Sequence, residues 1–337
     1  AARAFALAEL GGDLDARDHR GGSDPDDWIG DWRRAASHGA LGALVPVDYG
    51  GQGRDVTSTI AILEGLGQGC ADNGLTLALN GQIWAVIEPI LAFGTEAQKR
   101  RWLPGLADGS RVGAHGMTER ESGSDAFALS TTARRVEGGY VLTGEKIYVG
   151  LAPCCDVAVV FAATDPGAGR WGLSAFVVAA DDAGVSRGPA ESKMGLRTAP
   201  LGKLTLTDCF VPEDRILGEP GDGAAIFQHS MEWERSFIFA SHVGSMARQL
   251  ERCIAYAGER KTFGAAIGSY QSVSTRLADM PLRLETARLM LYKAAWLKDR
   301  GQPSLLEAAM TKLHLSEAVV ANSLDAIRIH GGLGYMT

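Results

Sequence analysis

The sequence predicts an α+β fold in which a helical stretch, a stretch of short strands and a second helical stretch follow one another. Three observations carry this. Apolar residues recur at three- and four-residue spacing up to about residue 112. Between 113 and about 215 short strand-like runs take over, separated by glycine-rich turns. From Asp222 the helical period returns and persists. No βαβ alternation occurs, which disfavours a Rossmann-type sheet.

In the first stretch, residues 1–112, helices are expected over Ala2 to Leu10, through Ile60-Ala61-Ile62-Leu63, and through Ile83, Ala85, Val86 and Ile90. Gly50-Gly51-Gln52-Gly53 and Phe93-Gly94-Thr95 punctuate them, with Thr95 placed to cap the next helix, and Gly109-Ser110 closes the stretch. In the second, residues 113–215, strands are expected at Ala133 to Val136, Tyr140 to Thr143, Val157 to Ala163, Leu173 to Val178 and Lys203 to Leu206. Turn residues such as Glu137-Gly138-Gly139 and Asp165-Pro166-Gly167 divide them, as in a small β-barrel or sandwich. In the third, residues 216–337, apolar stripes run from Ala224 to Ala257, Tyr270 to Lys298 and Leu305 to Ile329, a helical bundle. There is no internal repeat or low-complexity tract. The chain begins inside a predicted helix and stops at Gly334-Tyr335-Met336-Thr337, just after a glycine pair, so both ends read as cut.

Composition removes several function classes. At 337 residues, 46% hydrophobic and 22% charged, the chain has the make-up of a globular protein with a sizeable core. A net charge of −7 and the lack of a basic stripe argue against nucleic-acid binding. Arg33-Arg34 and Arg100-Arg101 read as solvated helix faces. Five cysteines, Cys70, Cys154, Cys155, Cys209 and Cys253, show no C-x-x-C spacing. A disulfide framework, a structural zinc or another metal site is therefore not expected, and reduced thiols in a cytoplasm are. The longest apolar runs read as too short for a membrane span, and no signal pattern precedes them.

Five segments carry groups suited to chemistry, each with a plainer reading beside it. Met117-Thr118-Glu119-Arg120-Glu121-Ser122-Gly123-Ser124-Asp125-Ala126 offers hydroxyls and close backbone N–H groups, for a flavin edge or phosphate oxygens, or else a solvated turn. Gly144-Glu145-Lys146-Ile147-Tyr148-Val149-Gly150 places an aromatic and a β-branched residue at a strand end, to pack on an isoalloxazine ring or simply to half-bury the strand. Glu259-Arg260-Lys261-Thr262-Phe263-Gly264, followed by Tyr270-Gln271, supplies the cations, hydroxyl and aromatic that a pyrophosphate and an adenine need. His330-Gly331-Gly332-Leu333-Gly334 ends a helix, as a C-cap commonly does. In the helix from Ala224, Glu232 has polar neighbours one turn away: Gln228, His229, Arg235 and Ser236. Glu234 lies on a stripe with Phe227, Met231 and Ile238. A carboxylate on such a stripe is desolvated and becomes a better proton acceptor, or it is an ordinary part-buried glutamate paired with a cation.

The order and spacing of these motifs, from Phe93-Gly94-Thr95 and Trp102-Leu103-Pro104 through Thr118-Glu119, Gly123-Ser124-Asp125-Ala126, Gly144-Glu145-Lys146, Arg260 to Gly264 and Gln271 to His330-Gly331-Gly332, resemble the acyl-CoA dehydrogenase family over essentially the whole chain. Ser230-Met231-Glu232-Trp233-Glu234-Arg235 looks closest to the carrier-protein-linked branch, such as the prolyl-carrier-protein dehydrogenases of pyrrole-containing antibiotic pathways.

That resemblance implies an N-terminal helical domain, a central β-barrel domain and a C-terminal four-helix bundle, assembled as a homotetramer or homodimer. It implies FAD, with Met117, Thr118, Gly123 and Ser124 at the flavin or its phosphates and Tyr148, Val149 and Gly150 at the ring face. Arg260, Phe263, Gln271, Gly331 and Gly332 would serve the pyrophosphate and adenine side across a subunit interface. Ser124 and Arg235 would lie near the thioester substrate. Glu234 would be the base that takes the α-proton while the β-hydrogen leaves as hydride to flavin N5, an electron-transfer flavoprotein or oxygen then accepting the electrons. The implied substrate is an acyl or aminoacyl thioester on a carrier protein in a secondary-metabolite pathway. A short or branched CoA thioester is the alternative substrate, and a flavin monooxygenase or non-catalytic flavoprotein of this fold the alternative class. Two departures stand out. Arg120-Glu121 replace the family's Pro-Gly, and Gly150 stands where members carry a hydroxyl near the flavin.

Overall fold

The computed structural model describes residues 1–22, 24 and 26–336; the expected chain end at Thr337 lies outside the described residues. Contacts divide the chain into two compact units that do not follow sequence order. One comprises 1–15, 55–76 and 235–337, the other 16–54 and 77–234.

The first unit is a helical bundle. It contains α1 (Ala2–Glu9) and, after α2 (Leu14–Arg20) and α3 (Asp26–Ser37) of the other unit, α4 (Val56–Gly69). Long helices α9 (Ala240–Glu259), α10 (Gln271–Asp299) and α11 (Leu305–His330) and the short α12 (Gly332–Tyr335) follow late in the chain. Helices α4 and α9 cross with their backbones almost touching. A Cβ on Gly67 would lie 1.8 Å from the Ser241 carbonyl oxygen, and one on Gly244 would lie 1.9 Å from that of Glu64. Only glycine permits this approach. Beside the crossing, Glu64 accepts hydrogen bonds from Arg288 Nε (2.8 Å) and Tyr292 Oη (2.9 Å) of α10. The single apolar stripe expected from Ala224 to Ala257 is broken. Helix α8 (Gly223–Phe237) stops and α9 begins at Ala240, because Phe237-Ile238-Phe239 concentrates residues of low helix propensity.

The second unit surrounds one sheet. Helices α5 (Asn73–Gln82), α6 (Glu88–Phe93) and α7 (Glu96–Ala107) precede it, and a π-helical turn at Ile83–Ile87 joins the first two. Thr95 caps α7 in a reciprocal box. Its hydroxyl accepts from Gln98 N (3.2 Å) while Thr95 N donates to Gln98 Oε1 (2.9 Å). The run Asn73–Phe93 is long and apolar enough to cross a membrane, contrary to the sequence expectation, because the π-turn fuses two helices; 78% of its most apolar window is buried.

The sheet consists of β1 (Gly113–Gly116), β2 (Thr132–Val136), β3 (Gly139–Gly150), β4 (Val157–Ala163), β5 (Leu173–Ala179), β6 (Val185–Arg187), β7 (Leu201–Pro212) and β8 (Ile216–Leu217). Its order is β6-β7-β3-β2-β4-β5-β8, with β1 parallel to β4. Every expected strand is present; β1, β6 and β8 are additions too short to leave a pattern. All of β4 and β5 is buried. Val157, Val159 and Phe161 pack against helical residues such as Ile90, Trp102 and Leu106. The alternate residues Ala158, Val160 and Ala162 join Leu142, Leu204, Leu206 and Val211 of β3 and β7. One face of the sheet thus closes on itself as a barrel-like core, and the other carries helices. The hairpin of β9 (Lys261–Thr262) and β10 (Ala265–Ala266) belongs to the bundle unit.

Candidate active site

In the sheet unit the first two flavin motifs meet at one end of β1 and β3. Ile147 N donates to Thr118 O (2.9 Å), which draws the Met117–Thr118 segment against β3. Beneath this seam Lys146, with a side chain 0% exposed, pairs with Glu119. Its Nζ lies 2.6 Å from Glu119 Oε1 and 3.2 Å from Met117 O. Ser130 N (2.6 Å), Ser130 Oγ (2.5 Å) and Thr131 N also donate to the Glu119 carboxylate. Burial alone would raise the Glu119 pKa, but the Lys146 charge and these donors outweigh it and hold it at about 2. Burial lowers Lys146 to about 8 against the pull of Glu119. Both are ionised at neutral pH. The sequence alone gives this pair no role. The signal was available, because Tyr140, Leu142 and Lys146 fall on one inward register of β3 and an inward lysine needs a carboxylate.

The turn after Glu119 closes without Pro-Gly. Glu119 and Ser122 exchange backbone hydrogen bonds of 3.1 and 3.2 Å, and Arg120 and Glu121 project outward from its corner. Gly123 and Ser124 are exposed just beyond.

Between Lys146 and Val149 the β3–β7 register shifts by a bulge. Tyr148 there has φ +53°, and the residue is 63% exposed. A bulky residue in left-handed backbone stays so only where its surroundings fix it, and the result is an aromatic face turned outward. Val149 departs from the expectation. Its side chain is 2% exposed and packs within the barrel core beside Leu142 and Leu204, so it offers a ring only its backbone. At Gly150 an added Cβ would meet nothing within 4 Å. Space for the family's missing hydroxyl is present.

Helix α8 carries the candidate bases. Phe227 stands among His115 (6.1 Å), Phe127 (5.8 Å) and Phe161 (5.7 Å), which confirms an apolar stripe at that point. Ser230, fully buried, and Glu234 continue the same face one and two turns on. Burial does not separate the two glutamates, however, since Met231, Glu232, Trp233 and Glu234 are all half-buried. Burial, then the Lys146 charge, lowers the His115 pKa to about 4, so the imidazole is neutral. A second ionisable pair went unnoticed in the sequence. Glu88, 5% exposed at the start of α6, lies 2.8 Å from His229 Nε2, with Phe93 edge-on to the imidazole at 5.0 Å. Its partners are far apart in sequence and share no motif.

Arg260, Phe263, Gln271 and Gly331-Gly332 lie in the bundle unit and gather at one end of it. Arg260 caps α9 and accepts Ile267 N on its carbonyl (2.8 Å). The β9–β10 hairpin turns at Phe263-Gly264, both in left-handed backbone, with Phe263 95% exposed at the tip. Tyr270 Oη donates to Thr262 O (2.9 Å) and secures the hairpin, and Gln271 opens α10 beside it. Tyr256, one turn before Arg260, stacks on His330 at 4.5 Å, which brings Gly331-Gly332 to the same end. Gly331 caps α11 with φ +58° and ψ −129°, a glycine conformation, so the plainer reading of that motif also holds. Arg235 is exposed on the last turn of α8.

Comparison with known proteins matches three family models: the acyl-CoA dehydrogenase N-terminal domain over residues 1–110, the middle domain over 114–209 and the C-terminal domain over 221–337. The chain is 43% identical to the L-prolyl-[peptidyl-carrier protein] dehydrogenase of Pseudomonas fluorescens over 304 residues, 90% of this chain and 80% of that one. It resembles the crystal structure of the prolyl acyl carrier protein oxidase AnaB with a TM-score of 0.94 at 44% identity, covering 99% of this chain and 88% of that one. PigA with FAD and proline superposes with a TM-score of 0.94 at 37% identity, over 99% and 86% of the two chains.

Proposed function

The chain belongs to the acyl-CoA dehydrogenase family, and we propose that it removes two hydrogens from the α and β carbons of an aminoacyl thioester, prolyl foremost, held on a carrier protein. The carrier-protein form is supported above all by the 43% identity to an L-prolyl-[peptidyl-carrier protein] dehydrogenase across nine-tenths of the chain. The enzyme is an FAD-dependent oxidoreductase.

The residues present fit that cofactor. The outward Tyr148 ring and the Met117–Thr118 backbone would hold the flavin ring, and the open space at Gly150 leaves its edge unobstructed. Thr118, Gly123 and Ser124 would meet its polar groups. Arg260, Phe263, Gln271 and Gly331-Gly332 would take the pyrophosphate and adenine of an FAD shared between subunits. Bound FAD supplies the hydride acceptor.

Glu234 takes the α-proton on a carboxylate oxygen, and Arg235 and Ser124 flank the thioester arm. Phe227, on the same face of α8 as Glu234, packs against Phe161 and Phe127, so that face is apolar two turns before the carboxylate. Neutral His115 adds no competing positive charge there. The electrons leave to an electron-transfer flavoprotein or to oxygen. The enzyme acts in the cytoplasm, with its five thiols reduced, and its domains run over 1–112, 113–215 and 216–337.

Assembly into a homotetramer or homodimer belongs to the same reading. Exposed apolar residues recur at seven-residue spacing as Leu282, Leu289 and Trp296 on α10 and as Leu306, Leu313, Val320 and Ile327 on α11. That is the pattern of a seam awaiting other helices.

The test is the mass of the thioester product. Loss of two hydrogens from a prolyl group on a carrier protein, but not from prolyl- or butyryl-CoA, supports the proposal. Turnover of the CoA thioesters alone would move the enzyme to the CoA-linked branch.

A further inference from the structure

A cavity of about 650 Å³ opens in the sheet unit at the end where β1 and β4 begin. Strands β1 and β4 both begin there: Val112 N donates to Asp156 Oδ2 (2.7 Å) and Asp156 N to Val112 O (2.8 Å). Met117 lies at the far end of β1, five residues and about 16 Å along the strand. None of the residues that line the cavity is among the candidate flavin or base residues described above.

Arg101, Trp102, Arg111, Arg187 and Arg215 line it. The guanidinium carbons of Arg101, Arg111 and Arg215 lie 4.7, 5.1 and 5.8 Å from the Trp102 ring, so one indole gathers three cations. Asp156, Asp181 and Asp182 line the cavity too, but two of the three are engaged. Asp182 takes both its oxygens to Arg215 Nη1 (2.7 and 2.6 Å) and also accepts Ala179 N (2.8 Å). Asp156 is held by Val112 N, and Asp181 is exposed at the rim. Arg187 donates to the Cys155 carbonyl (2.8 Å), and Arg111 makes a long contact to the Arg101 carbonyl (3.4 Å). Among the described residues Arg101, Arg111 and Arg187 make no ion pair.

Among the described residues two buried donors in the same lining also lack acceptors: Trp102 Nε1, in a residue only 3% exposed, and Arg215 Nε. Buried N–H groups are almost always partnered. Unneutralised guanidinium groups clustered on a chain of net charge −7, with two unused donors beside them, form a socket for an anion with several acceptor oxygens.

We propose that this cavity binds a phosphate-bearing small molecule, its phosphoryl oxygens taking the Arg101, Arg111 and Arg187 forks and the Trp102 and Arg215 donors. The experiment is isothermal titration of the FAD-loaded enzyme with inorganic pyrophosphate at constant ionic strength, so that the pyrophosphate site of the cofactor is already filled. The expected result is saturable binding of one equivalent, weakened about tenfold for each guanidinium removed in Arg101→Gln and Arg111→Gln, the factor of one charge-assisted hydrogen bond. Trp102→Phe, which keeps an aromatic ring for the guanidinium groups and removes Nε1, weakens it further, while Arg134→Gln on the exposed face of β2 leaves it unchanged. An unaltered flavin spectrum and unaltered turnover in these variants confirm an intact fold. No binding by the parent enzyme, or equal loss in Arg134→Gln and Arg101→Gln, overturns the proposal. So does binding of an acidic protein, but not of pyrophosphate, through the same arginines.

Discussion

Lys146 holds a position where a charge is tolerated only because every neighbour answers it. Its Nζ spans Met117 O and Glu119 Oε1, and the carboxylate behind it collects Ser130 and Thr131 donors. Replacing one partner leaves the other charged, buried and unpaired. Lys146→Met is therefore expected to cost about 3–5 kcal/mol in urea unfolding, and to loosen the Met117–Thr118 segment enough to weaken FAD retention. Adding Glu119→Gln, which removes the orphaned charge, recovers part of the loss; equal stability of single and double variants would count against the pair as a staple. Gly150 is the opposite case. Its Cβ direction is open, so Gly150→Thr, restoring the family's hydroxyl, is expected to change stability by less than about 0.5 kcal/mol while shifting the visible flavin absorption. A large loss of stability there, read from the melting temperature, would show that the apparent space is not available.

Helix α8 is the element on which the chemistry turns. Phe227, Ser230 and Glu234 recur on one face of it, and the first of these is seated among aromatic residues of the sheet unit. Glu234→Gln preserves shape and hydrogen bonding and removes only the base, so turnover should fall by about 10²–10⁴ with FAD content unchanged. Glu232→Gln, two residues away, should stay within a few-fold of the parent. If the two variants lose activity in the reverse order, the base is Glu232. The sequence reading separated these glutamates by the company they keep along the helix, and burial does not, since tertiary contacts half-cover both. Elements with many periodic residues were legible in advance: β4, β5, the capping box at Thr95, and the helices α10 and α11. What escaped was short, as β1, or depended on distant partners. The Glu88–His229 pair joins residues on two helices with no shared motif, and the break before Ala240 replaces a continuous apolar stripe. Val149 was assigned outward because a strand end gives no warning of a bulge, and the shift after Lys146 turns its side chain into the core.

At the scale of the whole molecule, proton uptake sets the acid limit, and each unit contributes. His115 in the sheet unit and His242 in the bundle unit have pKa values lowered to about 4, in both cases chiefly by burial, with Lys146 and Arg248 adding to it. A histidine near 6.5 in the unfolded chain and near 4 in the folded one is neutral when folded. Its contribution to stability is complete above pH 6.5. As the pH falls toward 4 the unfolded chain binds the proton first, and that contribution is lost. Each histidine is worth on the order of 3 kcal/mol over this window. Glu119 acts lower, because its folded value of about 2 lies below the ordinary 4.5, so what it contributes above pH 4.5 disappears only as the pH drops through that interval. Urea midpoints of the protein should therefore hold steady from pH 8 to 7, fall between 6.5 and 4, and fall again below 4.5. His115→Phe and His242→Phe should each flatten the upper segment without altering the lower one. If both leave the slope between pH 6.5 and 4 untouched, the acid sensitivity has another source, and the neutral state of these two imidazoles is not what the fold protects.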